Sequence, residues 1–97
     1  MYNMSLRVTY DAAKNDWNIR YRGLAFDSAR DFDFVNALVA VDRRREYGET
    51  RYVAIGMLGT RLHVLCFAEA QDGIRVISFR KANIREMRRY VEAKTSV

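Results

Sequence analysis

An α+β fold, an antiparallel β-meander flanked by helices in the order β-α-α-β-β-β-β-α, is what this sequence predicts. Three observations carry that expectation. Four successive segments from Ala37 onward have strand character and are joined by short polar turns. Two stretches, one near the start and one at the end, repeat apolar residues at helical spacing behind an Asp or Asn suited to capping. The 97 residues are 49% hydrophobic and 12% aromatic, with 5 glycines, far from the composition of disordered chains. A single domain over residues 1–97 follows, with one modest core, since folding at this size buries about 60 to 70% of the surface of the unfolded chain.

Each element has its own warrant. Leu6 to Tyr10 alternates apolar and polar side chains as a half-buried strand does, and Asp11 then offers an N-cap for a helix over Ala12 to Arg22. Ala13, Trp17 and Tyr21 recur every four residues, which predicts a buried stripe with Trp17 as a core anchor, and Gly23 suits a left-handed helix stop. A second short helix is expected from Asp27 or Ser28 to Phe34, with Phe26 and Phe32 contacting the core. The four strands are Ala37 to Asp42, Thr50 to Leu58, Arg61 to Ala70 and Ile74 to Phe79. Their links, Arg43 to Glu49, Gly59-Thr60 and Gln71-Asp72-Gly73, are short enough to favour antiparallel hairpins over crossovers. Asn83 with Glu86 three residues later resembles a capping box for the last helix, whose Ile84, Met87 and Val91 form an apolar stripe opposite Arg85, Arg88, Arg89 and Lys94.

Charge narrows the partners. The formal net charge is +5, and from Arg75 onward seven basic residues face two acidic ones, so the whole excess sits in the last quarter. Such a field attracts polyanions, which makes RNA, DNA or an acidic protein the natural candidates. No apolar run exceeds seven residues, against about 18 for a membrane-spanning helix, and no signal-peptide pattern opens the chain, so a cytoplasmic location is expected. Cys66, the single cysteine, falls inside the apolar run Val64 to Ala68 and is read as core packing.

The residues exclude several chemistries. One His and one Cys cannot make a zinc or iron site, and no clustered acidic pair suggests magnesium, so neither metal nor other cofactor is expected. Gly56 to Gly59 lies at a hairpin rather than between a strand and a helix, which argues against a phosphate-binding loop. His63 sits mid-strand between Leu62 and Val64 and points away from the face they bury, with no partner in the sequence to orient it. It reads as a surface or hydrogen-bonded strand histidine rather than a catalytic one.

Arginine remains. Guanidinium stays protonated and grips phosphate oxygens through paired hydrogen bonds, which suits the charge that builds on phosphorus when a ribose 2′-hydroxyl attacks it. By simple pleating Arg75 and Arg80 lie on opposite faces of the last strand, and they converge only if Arg80 lies past the strand's end. On charge alone, a solvated face or a contact with an acidic partner is the better explanation of these arginines.

The segment Arg75-Val-Ile-Ser-Phe-Arg-Lys-Ala82 is more specific. With Glu86 and Tyr90 in the following helix it resembles the BrnT toxins, which share Arg-x-Ile-Ser-x-Arg-x-Ala before a helix containing Glu and Tyr. The resemblance covers nearly the whole chain: Tyr10-Asp11, Lys14 and Asn18 match the family's opening, Gly23 and Phe26 its next step, and Asp42, Glu49, Arg51 and Gly56 its middle. It implies a RelE-like fold and a type II toxin that cleaves messenger RNA without a metal ion and inhibits translation. It also implies a ribbon-helix-helix antitoxin, through which alone operator DNA is reached.

Carried onto matching positions, the catalytic candidates are Glu49, Arg51, Arg75, Arg80 and Lys81. Arg51 and Arg80 would clamp the phosphate and the transition state at one spot on the sheet, and Glu49 would act as a base or orient Arg51. Lys14, Arg22, Arg85 and Arg89 are the candidate RNA contacts. One departure matters: the family usually has Lys-His before the glycine that follows the first helix, where this chain has Tyr21-Arg22. That exchanges a group titrating near neutrality for one that keeps its proton. A second reading is therefore a catalytically weak homologue that binds an antitoxin as corepressor, or that binds nucleic acid.

Overall fold

The computed structural model describes residues 6–96. It contains strand β1 (Arg7–Tyr10), helix α1 (Ala12–Arg22), a 3-10 helix (Phe26–Asp31), strands β2 (Leu38–Val41), β3 (Arg51–Leu58), β4 (Arg61–Ala70) and β5 (Gly73–Lys81), and helix α2 (Ile84–Thr95). The expected α+β class and element order both hold. The second helix is a 3-10 segment that stops at Asp31, because Phe32 turns to extended backbone and bridges to Leu58. Its ring lies where a side chain on residue 56 would have to go: a Cβ added to Gly56 would stand 2.7 Å from Phe32 Cζ.

The sheet runs β1-β5-β4-β3-β2. Strands β2 to β5 form the antiparallel meander, while β1 joins the far edge of β5 in parallel. That pairing, invisible in local sequence pattern, gives β5 partners on both sides, and the strand extends from Gly73 to Lys81 rather than Ile74 to Phe79. Gly73 is required there, since a Cβ would fall 1.9 Å from the Arg7 carbonyl oxygen.

Helices cover the two faces unequally. On one face Val8, Leu65, Phe67, Ile74, Val76 and Phe79 of the sheet meet Phe26 and Ala29 of the 3-10 segment and Phe32 just after it in the main core. On the other, α2 rests Met87 and Tyr90 on Ile55, Val64 and Ala82. Ile84 and Val91, expected in the buried stripe of α2, are exposed, because the contact runs through Met87 and Tyr90 and leaves the flank between them and solvent uncovered.

Helix α1 corrects the sequence reading more sharply. Its caps are as expected, with Asp11 accepting from the Ala13 and Lys14 amides and Gly23 left-handed at φ 65°. Its apolar stripe, however, faces out: Trp17 is 50% and Tyr21 63% exposed, and Asn18 is the residue buried, at 2%. Asn18 Nδ2 donates to the Leu24 and Phe79 carbonyls, each at 2.9 Å, and Asn15 Oδ1 accepts from the Phe26 amide at 2.9 Å. Those carbonyl and amide groups need partners once covered, and two asparagines three residues apart supply them. The helix is docked by polar groups, so helical periodicity of its apolar residues pointed to the wrong face.

Candidate active site

A β-bulge builds the site. Opposite β4, Cys66 pairs with Ser78 and Phe67 with Val76, which leaves Ile77 as an extra residue in β5. The extra residue reverses the pleat, so Arg75, Ser78 and Arg80 share the face that also carries Arg51, Val53, Val64 and Cys66. This corrects the expectation that Arg75 and Arg80 point to opposite faces inside a regular strand. Arg80 still lies within β5, and the bulge puts the two arginines on one face without bringing them together.

Arg51 and Arg80 do not meet at one spot. Arg51 is level with Ala68 of β4 and Arg80 with Val64, four residues or about 13 Å along the strand. Two clusters result, one at each end of this face. At the first, Glu49 Oε2 accepts from Arg51 Nε at 3.2 Å and from Arg75 Nη2, while the Tyr47 ring lies 4.1 Å beneath the Arg51 guanidinium. The hydrogen bond from Arg75 holds the Glu49 carboxyl below the usual carboxylate range against the opposing effect of burial, and the bond from Arg51 adds to it. The loop that presents Tyr47 and Glu49 is pinned by Asp42, which accepts from Arg44 Nε at 2.8 Å, Arg44 Nη2 at 2.7 Å and Tyr47 Oη at 3.0 Å. The Arg44 hydrogen bond keeps Asp42 strongly ionised.

At the second cluster Arg80 donates from Nη1 and Nη2 to the two oxygens of Glu86 at 2.8 and 2.9 Å. Glu86 is fixed in turn by the capping box, accepting from the Asn83 amide at 2.8 Å. The Arg80 hydrogen bond pulls the Glu86 carboxyl down to about 2. Of the five N–H groups of a guanidinium, Glu86 takes two and the Lys81 carbonyl one, at 3.3 Å. Nε–H and the second Nη2–H of Arg80 stay open to a ligand.

Two hollows meet at Arg80. A groove of about 440 Å³ runs over the open face, with Val53, Val64, Cys66 and Ser78 as floor and Asp42, Arg44, Arg80, Glu86 and Arg89 around it. A second pocket of about 530 Å³ lies around the sheet's end, lined by Arg22, Gly23, Leu24, His63, Arg80 and Lys81. Cys66 is buried, and burial pushes its thiol up, in keeping with a packing role.

The predicted site residues are thus distributed. Glu49, Arg51 and Arg75 form one cluster, Arg80 the other, and Lys81 points to the opposite face beside His63. The four candidate RNA contacts divide likewise: Lys14 and Arg22 are on α1, on the main-core side, and Arg85 and Arg89 are on α2, on the groove side. Arg22 bonds Asn18 Oδ1 at 3.1 Å and stacks 5.0 Å over Trp17. Sequence reasoning missed Glu86 as the partner of Arg80 and the Asp42–Arg44–Tyr47 anchor; the capping-box signal marked Glu86 but only for its helix. It also set His63 aside. That residue is 5% exposed and lines the second pocket.

Comparison with known proteins agrees with this architecture. A family model described as the ribonuclease toxin BrnT of type II toxin-antitoxin systems matches residues 10–86. Among solved structures, the Brucella abortus ribonuclease toxin BrnT superposes with a TM-score of 0.61 at 26% identity, over 80% of this chain and 97% of that one. A search of curated proteins found no match.

Proposed function

The chain belongs to the BrnT family of ribonuclease toxins of type II toxin-antitoxin systems, and from that premise we propose a metal-independent endoribonuclease that inhibits translation. It cleaves RNA by attack of a ribose 2′-hydroxyl on the adjacent phosphorus, leaving a cyclic phosphate. A protein antitoxin is the partner that type II membership implies; in this proposal it is a ribbon-helix-helix protein, which alone contacts operator DNA. No helix among the described residues is long and apolar enough to cross a membrane.

One observation carries the catalytic reading: three arginines stand along a single open sheet face, each aimed by a carboxylate that leaves N–H groups free. Arg80, where the two hollows meet, holds the scissile phosphate and the charge that grows on it. Arg51 and Arg75 hold a neighbouring phosphate of the same strand, with Glu49 as positioning residue. A carboxylate drawn this firmly to two guanidinium groups is a weak proton acceptor, which favours orientation over base catalysis. Lys14 and Arg22 guide RNA into the end pocket, Lys81 borders it, and Arg85 and Arg89 guide RNA over the groove.

Cleavage of a short RNA in excess EDTA tests this. The expected result is an undiminished rate and a cyclic-phosphate end, and loss of all activity on chelation rejects it. Arg22, standing where the family usually has histidine, motivates the rival of a weakly catalytic antitoxin-binding corepressor. Expression without the antitoxin separates the two: growth arrest with RNA cleavage supports the toxin, harmless expression with tight antitoxin binding the rival.

A further inference from the structure

His63, the only histidine of the chain, stands outside both arginine–carboxylate clusters and yet opens onto the pocket of Arg22, Arg80 and Lys81. Its surroundings fix it. The ring packs 5.7 Å from that of Phe79, and Nδ1 lies 2.9 Å from the Arg61 carbonyl oxygen. A carbonyl only accepts, so Nδ1 carries the proton and the lone pair of the neutral ring is on Nε2. No hydrogen bond among the described residues occupies Nε2, and no fully buried side-chain nitrogen is left without a partner. Nε2 is therefore the edge of the ring that reaches the pocket.

We infer that His63 is the proton acceptor of the cleavage reaction, working in a pocket where Arg80 and Arg22 hold the phosphate. The inference rests on the ribonuclease reading and supplies what that reading lacks, a lone-pair nitrogen open to the pocket that can accept the proton of the 2′-hydroxyl. Charged groups reach this pocket from α1 through Arg22 and from β5 through Arg80 and Lys81, all cationic, and no carboxylate lines it. A phosphodiester fits that setting. Nε2 takes the proton of the 2′-hydroxyl, O2′ bonds to phosphorus, and the bond from phosphorus to O5′ breaks. The departing O5′ takes a proton from the Lys81 ammonium, whose Cα is in register with that of His63, and both groups then re-equilibrate with water. The products are a 2′,3′-cyclic phosphate and a 5′-hydroxyl.

The test is His63→Asn, whose amide nitrogen takes the place of Nδ1 and keeps the bond to Arg61 while removing Nε2. Three quantities are measured on the full chain: melting temperature, affinity for a 2′-O-methyl RNA that cannot be cleaved, and cleavage rate of the matching RNA. Melting and affinity stay near those of the unsubstituted protein, and the rate falls by about a hundred to ten thousandfold, the usual range for removing a general base. A folded variant that cleaves at the original rate overturns the role of His63 and leaves the ribonuclease reading standing. If the unsubstituted protein cleaves no RNA, both fall. Should His63→Asn not fold, the native protein decides: its lone imidazole gives one Cε1–H proton resonance, which inorganic phosphate shifts at concentrations that displace RNA, and an unmoved resonance overturns the proposal.

Discussion

The two faces of the sheet are made by neighbouring residues for opposite purposes. On the face under the 3-10 segment, Phe26, Phe32, Leu65 and Phe79 are buried, and the side chains gain stability by excluding water. On the face that α2 covers only in part, polar and charged groups surround a groove, and order comes from ion pairs whose partners remain partly in solvent. Such pairs contribute little to stability, about 0 to 1 kcal/mol each. Their value lies in direction: a carboxylate that fixes a guanidinium leaves its other donors preorganised for a ligand.

Phe79 and Arg80, adjacent in β5, give the strongest test of that division. Phe79 is fully buried, so Phe79→Ala is expected to cost about 3 to 5 kcal/mol, a large fraction of the stability of a small domain. Arg80→Ala is expected to lower RNA cleavage by about a hundred to a thousandfold, as loss of an oxyanion donor does, with the denaturation midpoint nearly unmoved. Parallel urea melts and cleavage assays decide. If Arg80→Ala unfolds the chain, or cleaves normally while folded, the separation of the two faces is wrong.

Glu49→Gln should have a smaller effect. If Glu49 only aims Arg51 and Arg75, the amide still accepts their hydrogen bonds and cleavage drops by about tenfold; a loss of a hundredfold or more with the fold intact marks it as the base instead. Glu86→Gln keeps a side chain suited to the capping box but removes the charge held by Arg80. About 1 kcal/mol of stability is expected to go at neutral pH. Because the folded carboxyl is pulled from 4.5 down to about 2, this contribution is complete above pH 4.5 and fades as the pH falls toward 2. Urea titrations of the two proteins should therefore converge on acidification, and a constant gap rejects the ion pair as the cause.

The order of elements was legible because it depends on local signals: the Asp11 and Asn83 caps, the short turns and the strand-like runs all act within a few residues. The arginine face was not, since its key is one extra residue, Ile77, and a bulge shows only when two strands are laid side by side. The pocket beside His63 was hidden for a related reason. Pleating placed His63 opposite Leu62 and Val64, but whether that opposite face is solvent or pocket depends on α1 and the turn at Gly23, distant in sequence. The partner of Arg80 was hidden because Glu86 already had a local explanation as a helix cap.

Helix α1 gives the least disruptive test, and it concerns the outer surface of the same main-core side. Apolar spacing alone predicts that Trp17 anchors the fold, and a buried tryptophan replaced by alanine costs about 3 to 5 kcal/mol. The structure instead places Trp17 half in solvent, against Tyr21 at 5.1 Å and beneath Arg22, while Asn18 docks the helix. Trp17→Ala should then cost about 0.5 to 1 kcal/mol, the worth of an exposed aromatic and cation contact, whereas Asn18→Ala strands two covered carbonyls at about 1 to 3 kcal/mol each. A larger loss from Trp17→Ala than from Asn18→Ala, in urea melts followed by circular dichroism, would return the helix to its apolar face. The opposite order means that hydrogen bonding to β5 holds α1 in place, and with it the Arg22 side of the pocket that faces His63.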